Sequence, residues 1–173
     1  SGKNPGAAKL ATFLASAKKQ NPDGTLLLAA GDMMQGSIDS NLLHGKPVID
    51  IMNVVGFDAM TLGNHEFDWN VNILEERINQ SLFPYVCANL IDQRTGKQPA
   101  FVKPYIIIER EGIKIGIIGI ATPETTIKTN PKMIANYIFA DPAENVSALI
   151  PEIKEHGADL IIVLTHLDSF TDK

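Results

Sequence analysis

Two rhythms of apolar and polar positions alternate along this chain, one at helical spacing and one in short continuous runs. Residues 7–19 set Leu10, Phe13, Leu14 and Ala17 on one stripe with Lys9, Lys18 and Lys19 off it, which predicts an amphipathic helix. Asn21-Pro22-Asp23-Gly24 ends it as a turn. Thr25 to Ala30 is a short apolar run closed by Gly31, the pattern of a strand buried on both faces. Val48, Ile51, Met52 and Val55, between Pro47 and Gly56, predict a second helix. Asp58 to Leu62 is a short strand running into Gly63, Val71, Leu74 and Ile78 mark a third helix closed before Pro84, and Tyr85 to Ala88 is a further strand.

Residues 91–103, with Asp92, Thr95-Gly96 and Pro99, are polar and turn-rich and predict a surface loop. Residues 104–111 and 113–120 predict two strands joined through Glu111-Gly112 as a hairpin. Asp141-Pro142-Ala143-Glu144 combines an N-cap, a proline at the first helical position and an acid two residues on. Val146, Leu149, Ile150 and Ile153 form the stripe of that helix, which Pro151 is expected to kink or interrupt. Gly157 ends it, and Asp159 to Thr165 is a last buried strand. Strands alternate with helices and one antiparallel hairpin is inserted, so the fold class is α/β with a mixed sheet.

Composition narrows the function. The chain has 173 residues, enough for one domain with a substantial core. Hydrophobic residues at 45% and charged residues at 20% exclude a disordered chain. The net charge of -5 gives no electrostatic basis for docking on a nucleic-acid polymer or an anionic membrane, so a phosphate-bearing ligand needs a local cation. Cys87 is the single cysteine, which excludes an intrachain disulfide and a Cys-rich zinc cluster. No apolar run approaches the ~18 residues of a membrane-spanning helix.

The candidate chemistry gathers where three predicted strands stop. Leu26–Ala30 runs into Gly31-Asp32, Ala59–Leu62 into Gly63-Asn64-His65, and Leu160–Leu164 into Thr165-His166. In open α/β sheets the carboxyl ends of strands line the ligand crevice, so loops there can unite Asp32, Asn64, His65 and His166. Carboxylate, amide oxygen and imidazole suit Zn, Mn or Fe, and a carboxylate can bridge two cations. Taken singly, an Asp after a strand is more often a cap or turn residue, and a lone buried His more often a hydrogen-bonded core residue. His44 and His156 beside glycines read as helix-end residues, Trp69 as packing, and Glu66 and Phe67 as support for their loop. Gly36 and Ser37 read as the start of a following helix, Asn89 as possible lining of the cleft, and Asp168 as close to the site only through His166. The glycines at 116 and 119 do not have the spacing of a dinucleotide fingerprint.

Jointly the residues carry more. Gly31-Asp32-Met33-Met34-Gln35-Gly36-Ser37 and Gly63-Asn64-His65-Glu66-Phe67-Asp68 resemble the G-D-x-x-x-G-S and G-N-H-E-F-D motifs of 5'-nucleotidases, within the calcineurin-like metallophosphoesterases. Val163-Leu164-Thr165-His166-Leu167 resembles the family's later strand-His motif, in the same order. The resemblance implies a metallophosphoesterase sandwich of α-β-β-α layers, incomplete in this chain, and hydrolysis of nucleoside 5'-monophosphates or related nucleotides. It implies that Asp32 bridges two divalent metal ions of Zn, Mn or Fe type and that Asn64 and His166 bind the second. It implies that His65, oriented by Asp68, faces the phosphoryl group.

The family's opening Asp-x-His and closing Gly-His-x-His motifs are expected to flank residues 1–173, with a separate C-terminal nucleotide-binding domain beyond them. On that reading the chain is a partial catalytic domain that holds at most one weakly bound cation, hydrolyses nothing alone, and self-associates through exposed strand edges. A cyclic-nucleotide phosphodiesterase with 3'-nucleotidase activity and a nucleotide-sugar hydrolase share this catalytic half, and a non-catalytic binding module is the alternative from another class. The resemblance also implies a periplasmic, cell-wall or extracellular location.

Overall fold

A computed structural model describes residues 6–167. In chain order the elements are α1 (Gly6–Gln20), β1 (Leu28–Ala29), α2 (Ile38–Leu42), α3 (Lys46–Val55), β2 (Ala59–Thr61), a 3-10 turn (His65–Phe67), α4 (Val71–Gln80), β3 (Tyr85–Val86) and β4 (Leu90–Asp92). They continue with β5 (Tyr105–Arg110), β6 (Ile113–Ala121), α5 (Thr125–Lys128), a second 3-10 turn (Pro131–Met133), β7 (Tyr137–Phe139), α6 (Pro142–Glu155) and β8 (Leu160–His166). β1, β2 and β3 pair in parallel. In a second three-stranded sheet β6 is central, antiparallel to β5 and parallel to β8. β4 and β7 form a separate antiparallel pair. The expected α/β class with mixed sheets is the observed one.

The layers follow from the two-residue period of β6. Ile115 and Ile117 pack with Val86 between the two larger sheets, joined by Leu28 and Leu164. Ile118 and Ile120 point the other way and pack with Ile153 of α6. On the far side of the β1–β3 sheet, Met60, Leu62, Ile49, Met52 and Leu74 bury α3 and α4 against it. Three apolar layers therefore separate helices, sheet, sheet and helix. β6 is buried on both faces because it is the middle strand of an inner layer, which is why it reads as a continuous apolar run.

Gly119 explains one of the two β6 glycines as packing. A Cβ there would collide with the backbone carbonyl of Val86, and the Gly119 carbonyl accepts the Ala88 N–H at 2.7 Å. Gly119→Ala is expected to cost about 1–3 kcal/mol, because the obstruction is backbone and cannot rotate aside. Urea denaturation checks this, and an unchanged midpoint would remove the close sheet contact from the explanation.

Several expectations need correction. α1 forms, yet none of its residues is buried; Leu10 and Phe13 are 53% and 70% exposed. Its main packing partner among the described elements is α3. α6 runs unbroken through Pro151. Pro151 and Ser147 lie on the exposed face, so solvent can satisfy the carbonyl that lacks its helical N–H partner. The predicted surface loop 91–103 begins inside β4, where Asp92 is buried at 7% exposure and bonds the Arg94 guanidinium through both oxygens. Cys87 is fully buried, and burial pushes its thiol up to about 12.

Candidate metal centre

The parallel pairs place the carboxyl ends of β1 and β2 side by side, and those of β6 and β8 likewise, with Ala121 opposite His166. Beyond β1 and β2 the chain makes two close-set turns. Gly31 has φ +88°, and a Cβ there would lie 2.5 Å from the Gly63 nitrogen. A Cβ on Gly63 would in turn strike Asp32. Only paired glycines let the two turns approach this closely, which is what brings Asp32 to the loop carrying Asn64 and His65.

Glu66 locks the two turns together. Its side chain is fully buried, and Oε2 accepts the N–H groups of Asp32 and Gly63, both at 2.7 Å. Oε1 accepts the Met33 N–H at 2.8 Å and the Met34 N–H at 3.4 Å. Burial raises the Glu66 carboxyl above its ordinary value, while the backbone donors, which favour the carboxylate, oppose the rise. Asp32 sits at φ +55°, a left-handed conformation that costs a non-glycine residue about 1–2 kcal/mol and that these bonds hold in place. The sequence shows Glu66 within its motif, but nothing in the spacing reveals that it binds a turn 34 residues away.

Asp32 is then shared between two histidines. Its Oδ1 accepts the His65 backbone N–H at 2.9 Å, and its Oδ2 lies 3.2 Å from His166 Nε2. His166 Nδ1 donates to the Ala30 carbonyl at 2.8 Å, which orients the ring and turns Nε2 toward Asp32. Burial works to raise the Asp32 carboxyl, but the His166 contact, the His65 N–H and the two imidazoles outweigh it and hold it below the usual range. The Asp32 contact raises His166. His65 is held separately. Its Nδ1 meets Asp68 Oδ2 at 2.7 Å, and this hydrogen bond raises its pKa. The His65 side chain stays 39% exposed, so a ligand can reach it from solvent.

Asn64, at 8% exposure, sits in the chain between Gly63 and His65, and its side chain takes no part in this network among the described residues. The structure thus brings Asp32, His65, Asp68 and His166 into one cluster of contacts and sets Asn64 beside it. Asp168 lies outside the described residues. Among the described residues no three His, Cys, Asp or Glu side chains converge on one point. The donor set nevertheless suits a cation: a carboxylate oxygen faces an imidazole nitrogen whose partner nitrogen is committed to a backbone carbonyl, the arrangement usual for metal-binding histidines.

Asn89 does not line the cleft. It is fully buried, and its amide bonds the Ala121 N–H and carbonyl and the Ala140 carbonyl, tying the ends of β6 and β7 together. Ser37 caps α2 by accepting the Ser40 N–H, as expected of a helix start. His156 caps the end of α6, and Trp69 packs on the core beside His44.

Comparison with known proteins identifies the family. The profile of the calcineurin-like phosphoesterases matches residues 4–172. A 5'-nucleotidase of Vibrio cholerae is 39% identical over 146 residues, covering 84% of this chain and 26% of that protein. The crystal structure of a 5'-nucleotidase precursor from Thermus thermophilus superimposes with a TM-score of 0.80 at 30% identity, covering 91% of this chain and 31% of the other. The NAD nucleotidase of Haemophilus influenzae gives a TM-score of 0.84 at 28% identity, covering 96% and 29%. The chain therefore spans under a third of the length of each of these relatives. Because the match runs through every element that carries Asp32, His65, Asp68 and His166, this chain belongs to the calcineurin-like phosphoesterase family.

Proposed function

We propose that this chain forms part of the catalytic domain of a metal-dependent phosphomonoesterase that hydrolyses nucleoside 5'-monophosphates or related nucleotides, and that a separate domain supplies the contacts to the base. Asp32, Asn64 and His166 would hold metal, with Asp32 shared between two divalent ions of Zn, Mn or Fe type. Bound there, such ions supply Lewis-acid polarisation of the phosphoryl oxygens and a nucleophile at neutral pH. His65 keeps Nδ1–H on Asp68, so its protonated ring offers Nε2–H to a phosphoryl oxygen as charge develops. The Asp68 carboxylate holds the Nδ1 proton and fixes the plane of the ring. Names of relatives point to nucleotides as the substrate class, and the family resemblance favours a place outside the cytoplasm. Among the described residues no helix is long and apolar enough to cross a membrane.

The observation that carries this reading is Asp32 facing His166 Nε2 at 3.2 Å while His166 Nδ1 is committed to the Ala30 carbonyl. Calorimetric titration of the chain with Mn²⁺ or Zn²⁺ is expected to show at most one weak site, lost in His166→Ala. Two tight sites in this chain, or a site that His166→Ala leaves intact, would overturn the assignment. A full-length protein that binds the metal yet leaves nucleoside monophosphates intact would favour a binding module instead.

A further inference from the structure

The loop that follows β6 carries no recognisable motif, yet it reaches the site. The carboxyl end of β6 lies at the same rim as that of β8, with Ala121 opposite His166. From there the chain enters a compact turn of threonines. Thr122, Thr125 and Thr129 are 4%, 0% and 6% exposed. Thr125 donates its N–H at 3.0 Å and its hydroxyl at 2.7 Å to the Thr122 carbonyl, and Thr129 donates its N–H to the Thr125 carbonyl at 3.1 Å. Asn130 and Pro131 then stiffen the exit, the Asn130 side chain accepting the Lys132 N–H at 3.1 Å.

Threonines in such turns normally bond a nearby backbone group. Thr125 and Thr126 do so, to the carbonyls of Thr122 and Pro123. Thr129 does not. Its hydroxyl crosses 61 residues of sequence to donate to Asp68 Oδ1 at 3.1 Å. The other oxygen of that carboxylate holds His65 Nδ1 at 2.7 Å. The last torsion of an aspartate is broad and nearly two-fold, so a single hydrogen bond leaves the carboxylate free to swing. A second donor on the opposite oxygen stops the swing and therefore fixes the direction in which the imidazole is held.

We propose that Thr129 is a positioning residue for His65, acting through Asp68, and that the threonine turn after β6 is a further wall of the site. The role rests on the proposed phosphoesterase reading for its purpose, though not for its geometry. In an enzyme that gains by aiming a rigid donor at developing charge, removing an outer partner of this kind costs about 10–100-fold.

The test uses two hydroxyl-free variants, Thr129→Val and Thr129→Ala, and the conservative Thr129→Ser. In the ¹⁵N-labelled chain, the proton on His65 Nδ1 is followed by NMR through its exchange rate with water, with His156 at the end of α6 as an internal control for the fold. Both hydroxyl-free variants are expected to speed exchange several-fold at His65 with His156 unchanged, and Thr129→Ser to restore the slow rate. In the full-length protein acting on adenosine 5'-monophosphate, the same variants are expected to lower kcat about tenfold with KM within about twofold, again rescued by serine. An unaltered His65 proton in the folded hydroxyl-free variants overturns the proposal. Should the unmodified full-length protein hydrolyse nothing, the phosphoesterase reading fails while the NMR result still decides the coupling.

Discussion

Glu66→Gln is expected to destabilise the chain by about 3–5 kcal/mol, although it changes one atom and leaves the shape intact. Both carboxylate oxygens act as acceptors, together taking four backbone N–H groups from residues 32, 33, 34 and 63. An amide replaces one oxygen with a donor, so at least one close pair of N–H groups then faces another N–H inside the protein. Each buried group left without a partner costs about 1–3 kcal/mol. Strain at Asp32 adds to this, since its left-handed backbone loses the bonds that hold it. Urea denaturation checks the expectation. A change within about 0.5 kcal/mol, the range of ordinary surface substitutions, would mean that the two turns converge without the clamp.

His65→Ala is expected to lower nucleotide hydrolysis by the full-length protein about 10²–10³-fold, the usual consequence of deleting one donor aimed at a transition state. KM should move little, because the lost interaction strengthens only as charge develops on the phosphoryl oxygens. Metal content is the discriminating readout. His65 touches Asp32 through its backbone N–H, which alanine retains, while its ring is committed to Asp68. The variant should therefore keep its metal, whereas Asp32→Asn should lose both metal and activity. If His65→Ala lost metal as fully as Asp32→Asn, His65 would be a ligand and the division of roles proposed above would fall.

The two substitutions probe different physical layers of one loop. Asn64, His65, Glu66 and Asp68 fall within five consecutive positions, yet their side chains serve separate tasks. Glu66 turns inward and fixes backbone; His65 turns outward, at 39% side-chain exposure. The 3-10 turn from His65 to Phe67 produces this split, since neighbouring side chains on so tight a helix leave it in different directions.

Short-range pattern is enough for much of the fold. Turns at Asn21–Gly24 and Glu111-Gly112, the cap at Asp141 and the apolar run of β6 are local signals, each imposed by backbone sterics or by burial on both faces; β8, expected to be buried as well, forms but leaves Leu160 and Val163 50% and 40% exposed. Helical spacing locates α3, α4 and α6 for the same reason. Pattern and structure part where neighbours outvote the local signal. Pro151 is compatible with a continuous helix because its freed carbonyl partner faces water, and the α1 stripe stays largely exposed. Residues 90–92 pair with 137–139, a partner no local pattern predicts.

At the site, the identities of the candidate groups are already legible in the linear chain: Asp32, Asn64, His65, Asp68 and His166 stand in recognisable motifs after strands, and the glycines before them announce tight turns. How those groups are held becomes visible only once the chain is folded. Glu66 bridging to residues 32–34, His166 reaching the Ala30 carbonyl, Asn89 turning inward and Thr129 reaching Asp68 all join positions tens of residues apart. Such contacts depend on strand order and on the facing of side chains after folding, and a linear pattern carries information about neither.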